Sequence, residues 1–186
     1  VIPVEYLGMA YGVSEIALAA RKRSVRAGAE SRDAGTLGRI WIVIMLSIGS
    51  AVFVATRVSW GRFEPDATIQ ALALGAFLAG LGLRWWAILV LGRFFTVDVA
   101  IHEGHELVVR GPYRVLRHPS YSGALLAFAG LGLVFGSWLA LALLLVPITG
   151  AMIGRIHVEE RALAQTFGAA WESYCARSWR LVPFVW

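Results

Sequence analysis

Apolar runs, parted by short polar clusters, dominate the chain from its first residues. Runs over 2–20, 37–58 and 69–91 each approach the length of about 20 helical residues that spans a hydrocarbon core of roughly 30 Å. The first run carries Glu5 and Glu15, but Gly8 and Gly12 have the small-xxx-small spacing that lets helices approach closely, which predicts a packed span. Its carboxylates are expected to be pair-bonded packing features. Between 122 and 154 no charged residue occurs, and as one helix this stretch would be about 50 Å long, too long for a single upright crossing. Gly136-Ser137 near its middle predicts two short helices joined by a tight turn, with Pro147 kinking the second. Beyond Gly154, Leu163, Phe167, Trp171 and Tyr174 recur at helical spacing among Glu159, Glu160, Arg161, Gln165 and Glu172, the pattern of an amphipathic, interfacial helix that Gly168 divides in two. The fold class predicted is an all-α integral membrane protein. It has five transmembrane helices, the last two a short helical hairpin, followed by a cytoplasmic C-terminal amphipathic helical tail. One membrane domain covers 1–186, with the N-terminal spans in 1–92 and the polar motifs in 93–186.

Composition agrees: 58% of the residues are hydrophobic and the mean hydropathy is +0.67, more apolar surface than a water-soluble domain of this size hides. Charge adds orientation. Arg21, Lys22, Arg23, Arg26 and Arg32 fill the first connection, and the second holds only Arg57 and Arg62, so the first is expected on the cytoplasmic side and the N-terminus outside. The segment 93–119 and the C-terminus then fall inside, where Arg93, Arg110, Arg114, Arg117, Arg177 and Arg180 obey the same rule. Because positive charge follows the first run instead of preceding it, that run does not read as a cleaved leader. Trp41, Trp60, Trp138, Trp171, Trp179 and Trp186 lie near predicted span ends, where belt anchoring is their default role. The net charge of +5 is distributed between apolar runs with no basic stripe, which argues for a membrane surface and against nucleic acid. The single cysteine, Cys175, excludes an internal disulfide and multi-cysteine zinc sites, and no metal site is expected.

Candidate chemistry is confined to two segments, GRFFT through GPYRVLRHPSYSG and the tail from Glu159 to Pro183, which the predicted topology brings to one membrane face. Pro119 suits the first turn of a helix. The N–H groups of that turn, with Arg117 and His118, form an anion site of the kind that holds a carboxylate. Each residue also has an ordinary explanation: Arg117 as a lipid-phosphate anchor, His118 as a cap, Tyr121 as a belt aromatic, Gly123 as a packing contact. Glu159 and Glu160 point about 100° apart on a helix, so they are not expected to serve one ligand atom, and Arg155 pairing with Glu159 at i, i+4 explains one of them without a ligand. Arg155 and His157 have no role assignable beyond solvation or pairing.

In order, Gly-Pro-Tyr, Arg-His-Pro-x-Tyr-x-Gly, a long apolar hairpin, Glu-Glu, Phe-Gly, a Trp or Tyr pair and Arg-Leu-x-Pro resemble the isoprenylcysteine carboxyl methyltransferase family and the broader membrane phospholipid methyltransferase group. The likeness covers about half the chain, from Leu91 onward. It implies an S-adenosylmethionine-dependent enzyme, releasing S-adenosylhomocysteine, whose lipophilic substrate enters sideways from the bilayer lipids. Catalytic positions carried over are Arg117, Glu159 and Glu160. Cofactor positions are Tyr113, His118, Pro119, Tyr121, Gly123 and Glu160, with Arg93 and Arg180 as weaker additions. Carboxyl O-methylation of an isoprenylcysteine-like acid is the reading nearest the family. Phospholipid amine N-methylation, an NADPH-dependent sterol-reductase-like activity, and a non-enzymatic lipid or quinone carrier are the alternatives. A carboxylate acceptor needs a cation such as Arg117 to orient it and no base. A protonated amine needs one, for which Glu159 or Glu160, raised in pKa by partial burial, is the candidate.

Overall fold

In the computed structural model, residues 3–22, 30–31, 35–94, 100–101 and 106–186 are described. Arg23, Arg26 and Arg32 of the first connection, Phe95 and Thr96 of the GRFFT motif, and the side chains of Arg21, Lys22 and Arg93 lie outside the described residues. The chain forms α1 (Val4–Lys22), α2 (Thr36–Arg57), α3 (Ala67–Leu91), α4 (Pro119–Val134), α5 (Trp138–Phe167) and α6 (Ala169–Cys175). Two-residue strands β1 (Glu30–Ser31) and β2 (Ala100–Ile101) pair antiparallel, joining the first and third connections.

The ends of these helices follow from local chemistry. Asp66 accepts from the Ile69 N–H at 2.8 Å to start α3, and Ser137 accepts from Ala140 at 3.3 Å to start α5. Each cap is worth about 1 kcal/mol. Gly136, at φ +60°, makes the turn between α4 and α5 where a glycine-serine break is expected. At the same end of the bundle, the Phe63 N–H donates to Gly136 O at 2.8 Å and the Trp138 N–H donates to Gly61 O at 3.0 Å, so the α2–α3 connection is bonded to the α4–α5 turn.

α2, α3 and α5 are long and apolar enough to cross a membrane, and α4 is a shorter apolar helix of 16 residues. The architecture is that of a helical integral membrane protein. Three expectations are corrected. The segment after Gly154 is not a separate tail helix: α5 runs unbroken for 30 residues, about 45 Å, through Pro147 and past Glu160, because nothing between Gly154 and Phe167 interrupts the helical ladder. Among the described residues nothing lies within 4 Å of a Cβ placed on Gly8 or Gly12, so the expected close approach is not made there. The close approach is instead between α3 and α4. A Cβ on Gly80 would strike the backbone of Ala127 and Gly123, one on Gly123 would lie 2.6 Å from Gly80 O, and one on Gly130 would meet the backbones of Ala73 and Phe77. Trp171 is no belt residue: it is buried against Tyr174 beneath the tail, with ring centroids 5.6 Å apart. Trp41, Trp60 and Trp138 are exposed, as a belt requires. Phe77, Phe128, Leu144 and Ile148 fill the core between α2, α3, α4 and α5.

Candidate active site at the α4–α5 junction

A main-chain zipper builds the site. Gly111, at φ +59°, and Pro112 open a 3₁₀ turn over Gly111–Arg114, after which the chain runs extended beside the tail. The Trp179 N–H donates to Val115 O at 2.9 Å, the Arg117 N–H donates to Trp179 O at 2.7 Å, and the His118 N–H donates to Arg180 O at 3.1 Å. Ser122 Oγ donates to Leu181 O at 2.6 Å. Tyr174, on α6, donates its hydroxyl to Tyr113 O at 2.7 Å and fixes the turn from beneath. These bonds set the side chains of Arg117, His118 and Arg180 side by side, on the face that α5 approaches.

Glu160 is the focus of that face. Its Oε2 accepts from Arg180 Nε at 2.9 Å, and its Oε1 lies 3.3 Å from His118 Nε2 and 3.6 Å from Arg117 Nη1. Burial opposes ionisation of this carboxyl, but the hydrogen bonds from His118 and Arg180 and the charge of Arg117 outweigh it and hold the pKa below the ordinary carboxylate range. The raised value expected of a proton-accepting glutamate is therefore not found at Glu160. His118 is 4% exposed and occupies the N-cap position of α4, yet makes no capping bond. Its other nitrogen, Nδ1, faces Glu159 Oε2 at 3.7 Å. Adjacent glutamates that diverge on their own helix thus meet one imidazole from its two edges.

A second chain of bonds continues from Glu159. Tyr121 donates to Glu159 Oε2 at 3.0 Å and accepts from Arg155 Nε at 2.9 Å, while its ring stacks on His118 at 5.6 Å with planes 14° apart. Arg155 is 5% exposed and donates from Nη1 to Thr36 Oγ1 at 2.9 Å, bringing α2 into the same network. Burial raises the pKa of the Tyr113 phenol well above its ordinary value, so this ring stays neutral at physiological pH.

The structure brings together Arg117, His118, Tyr121, Glu159 and Glu160 from the two predicted segments, with Tyr113 immediately beneath. Pro119 opens α4 and is buried. Gly123 lies against the backbone of Gly80 and Arg84, so helix packing explains its lack of a side chain. Arg180, a weak candidate by sequence, is a direct partner of Glu160. Arg155 was missed; the available signal was an arginine in an apolar run, which must find partners to be tolerated there.

Counting Arg117, Arg155 and Arg180 against Glu159 and Glu160, with His118 neutral, the cluster carries net charge +1. Arg117 Nε is buried and has no hydrogen-bond partner among the described residues. A buried N–H left unpaired costs about 1–3 kcal/mol. An anionic ligand group that accepts from it removes this cost. The residues therefore suit a zwitterionic donor: a carboxylate toward Arg117, a cationic centre toward the Tyr113 and Tyr121 rings and Glu159.

The sequence model of the phospholipid methyltransferase family matches residues 68–170. Protein-S-isoprenylcysteine O-methyltransferase B of Arabidopsis thaliana is 34% identical over 135 residues, covering 72% of this chain and 68% of that protein. The corresponding Schizosaccharomyces pombe enzyme is 33% identical over 118 residues, 62% of this chain and 50% of that one. A solved eukaryotic intramembrane Ras methyltransferase, an isoprenylcysteine carboxyl methyltransferase, shares the fold with a TM-score of 0.59 at 23% identity, over 81% of this chain and 51% of that chain. The chain thus spans between half and about two thirds of the length of these relatives. With a family model matching more than half its residues and a plant methyltransferase matching most of its length, the chain belongs to the isoprenylcysteine carboxyl methyltransferase family, within the phospholipid methyltransferase group.

Proposed function

We propose that this protein transfers a methyl group from S-adenosylmethionine to the carboxylate of an isoprenylcysteine-like lipophilic acid, at the cytoplasmic edge of the membrane. The observation that carries the reading is the polar junction itself. Residues 117–121 and 155–180, distant in sequence, converge on one ion cluster with an excess of positive charge and an unpaired buried donor at Arg117 Nε. Arg117, through its unpaired Nε, would hold the donor's carboxylate, with the Tyr113 and Tyr121 rings against its sulfonium. When bound, the donor supplies an electrophilic methyl group.

Arg117, held beside Glu160, and the tail arginine Arg180 orient an acceptor carboxylate by charge. Displacement at carbon needs alignment and exclusion of water more than it needs acid–base help. An amine acceptor would need a base, and Glu160, paired with Arg117 and Arg180, hydrogen-bonded to His118 and held below its ordinary pKa, is a poor one. This favours the carboxylate over the phospholipid amine. Five crossings, with the N-terminus outside and the junction inside, fit the arginine distribution and the length of α1, 19 residues.

The test uses the full chain in detergent, with titration of S-adenosylhomocysteine and transfer of labelled methyl to a farnesylated cysteine acid. Saturable binding and a base-labile methyl ester are expected. No binding, or label only in phospholipid amine, overturns the proposal.

A further inference from the structure

Arg84, on α3, lies outside the cluster at Glu159 and Glu160. Its guanidinium donates through Nε and Nη2 to the two oxygens of Glu15 on α1, at 2.6 and 2.7 Å, and through Nη1 to Ser120 Oγ at 2.9 Å and Ser120 O at 3.3 Å. Both charged side chains are almost buried, 13% and 12% exposed. One residue along each helix, Trp85 Nε1 donates to Ser14 Oγ at 2.7 Å. Charge inside an apolar stretch is costly and is kept where it serves a purpose. Docking α1 on α3 accounts for the Glu15 arm and the Trp85 bond. It does not account for the arm to Ser120.

Ser120 directly precedes Tyr121, and α4 begins there without a side-chain cap. The turn 118–122 is held on one side by the tail, through the His118 N–H to Arg180 O and Ser122 Oγ to Leu181 O. On the other side Arg84 holds it. Glu15 takes the Nε and Nη2 edge of the guanidinium, which leaves Nη1 aimed at Ser120. We infer that Arg84 is a positioning residue for methyl transfer: oriented by Glu15, it pins Ser120 so that Tyr121 and His118 meet Glu159 and Glu160 in working geometry. The inference rests on the function proposed above. It assigns α1, none of whose described side chains joins the ion cluster, a part in its alignment.

The test compares three forms of the full chain in detergent: Glu15→Gln, Ser120→Ala, and the reversed pair Glu15→Arg with Arg84→Glu. Thermal midpoint, kcat, KM and hydrogen exchange over 117–124 are read for each. The reversed pair restores an α1–α3 ion pair and recovers the midpoint, but a glutamate cannot donate to the Ser120 carbonyl. Its kcat is expected to stay roughly 10- to 100-fold down, with faster exchange over 117–124. Ser120→Ala, which leaves the ion pair intact, is expected to lower kcat about threefold or more at an unchanged midpoint. Recovery of kcat together with the midpoint in the reversed pair would show that Arg84 only docks α1. Unchanged exchange and kcat in both Glu15→Gln and Ser120→Ala overturn the inference even if the reversed pair fails to fold. An inactive wild type whose 117–124 exchange still responds to Glu15→Gln points to failure of the methyl-transfer reading, with the pinning intact.

Discussion

Along α3 and α4, at Gly80, Gly123 and Gly130, backbone lies against backbone. A few residues away, where α4 meets α5 and the tail, Arg117, His118 and Arg180 face Glu160 across a buried ion cluster. In the seam, stability comes from shape. Lipid competes for apolar contact as well as any side chain does, so helices gain by approaching closely enough for dispersion, which only small residues permit. At the junction, stability comes from pairing, since a charge removed from water must find partners. The two regions share α4, yet they are expected to fail in different ways.

Glu160→Gln should have the largest effect, because it leaves the buried Arg117 without its counter-charge and weakens the acceptor facing His118. A loss of about 3 kcal/mol is expected, at the low end for a broken buried pair since Arg180 is 30% exposed and regains solvation. Affinity for S-adenosylhomocysteine should fall with it, read by titration calorimetry beside a thermal melt. Gly130→Ala attacks the seam alone. A Cβ there lies 2.7 Å from Phe77 N, a backbone atom that cannot turn aside, so the helices must part at a cost of about 2 kcal/mol. Because Gly130 is remote from the junction, donor affinity in the folded fraction should match wild type. Equal damage to affinity would show that seam and junction are one mechanical unit.

Tyr121→Phe removes the hydroxyl between Arg155 and Glu159 and keeps the ring on His118. About 1 kcal/mol of stability should be lost, with a several-fold drop in methyl transfer. The smallest effect is with pH. As the folded Glu160 carboxyl lies below its unfolded value, its contribution is complete above that value and is lost as pH falls through the folded one. The melting midpoint should therefore be flat from about pH 8 to about pH 5 and decline below about pH 4. A midpoint that instead rises as pH falls through neutrality would mean a raised carboxyl and would revive the amine-methylating reading.

The junction was far more legible in the sequence than the seam. In a chain this apolar, Arg117, His118, Glu159 and Glu160 stand out, and their ordered motifs narrowed the chemistry. Gly136-Ser137 and Gly168 marked their turns because a positive φ has few other occupants. Glycines inside a span carry no such mark. Gly8 and Gly12 have the spacing of a contact and meet no close neighbour among the described residues, while the contact is made by Gly80, Gly123 and Gly130, because spacing names a stripe without saying what lies opposite it. Arg155, Arg84 and Ser120 escaped for a related reason: their partners, Thr36 and Glu15 among them, are far away in the chain, and only packing reveals them.

The bonds from Phe63 to Gly136 and from Trp138 to Gly61 act as a clasp at the end of the bundle farthest from the junction. With those two loops tied to each other, a change that loosens the α2–α3 connection is transmitted to the α4–α5 turn, so the four helices keep one spacing at this end.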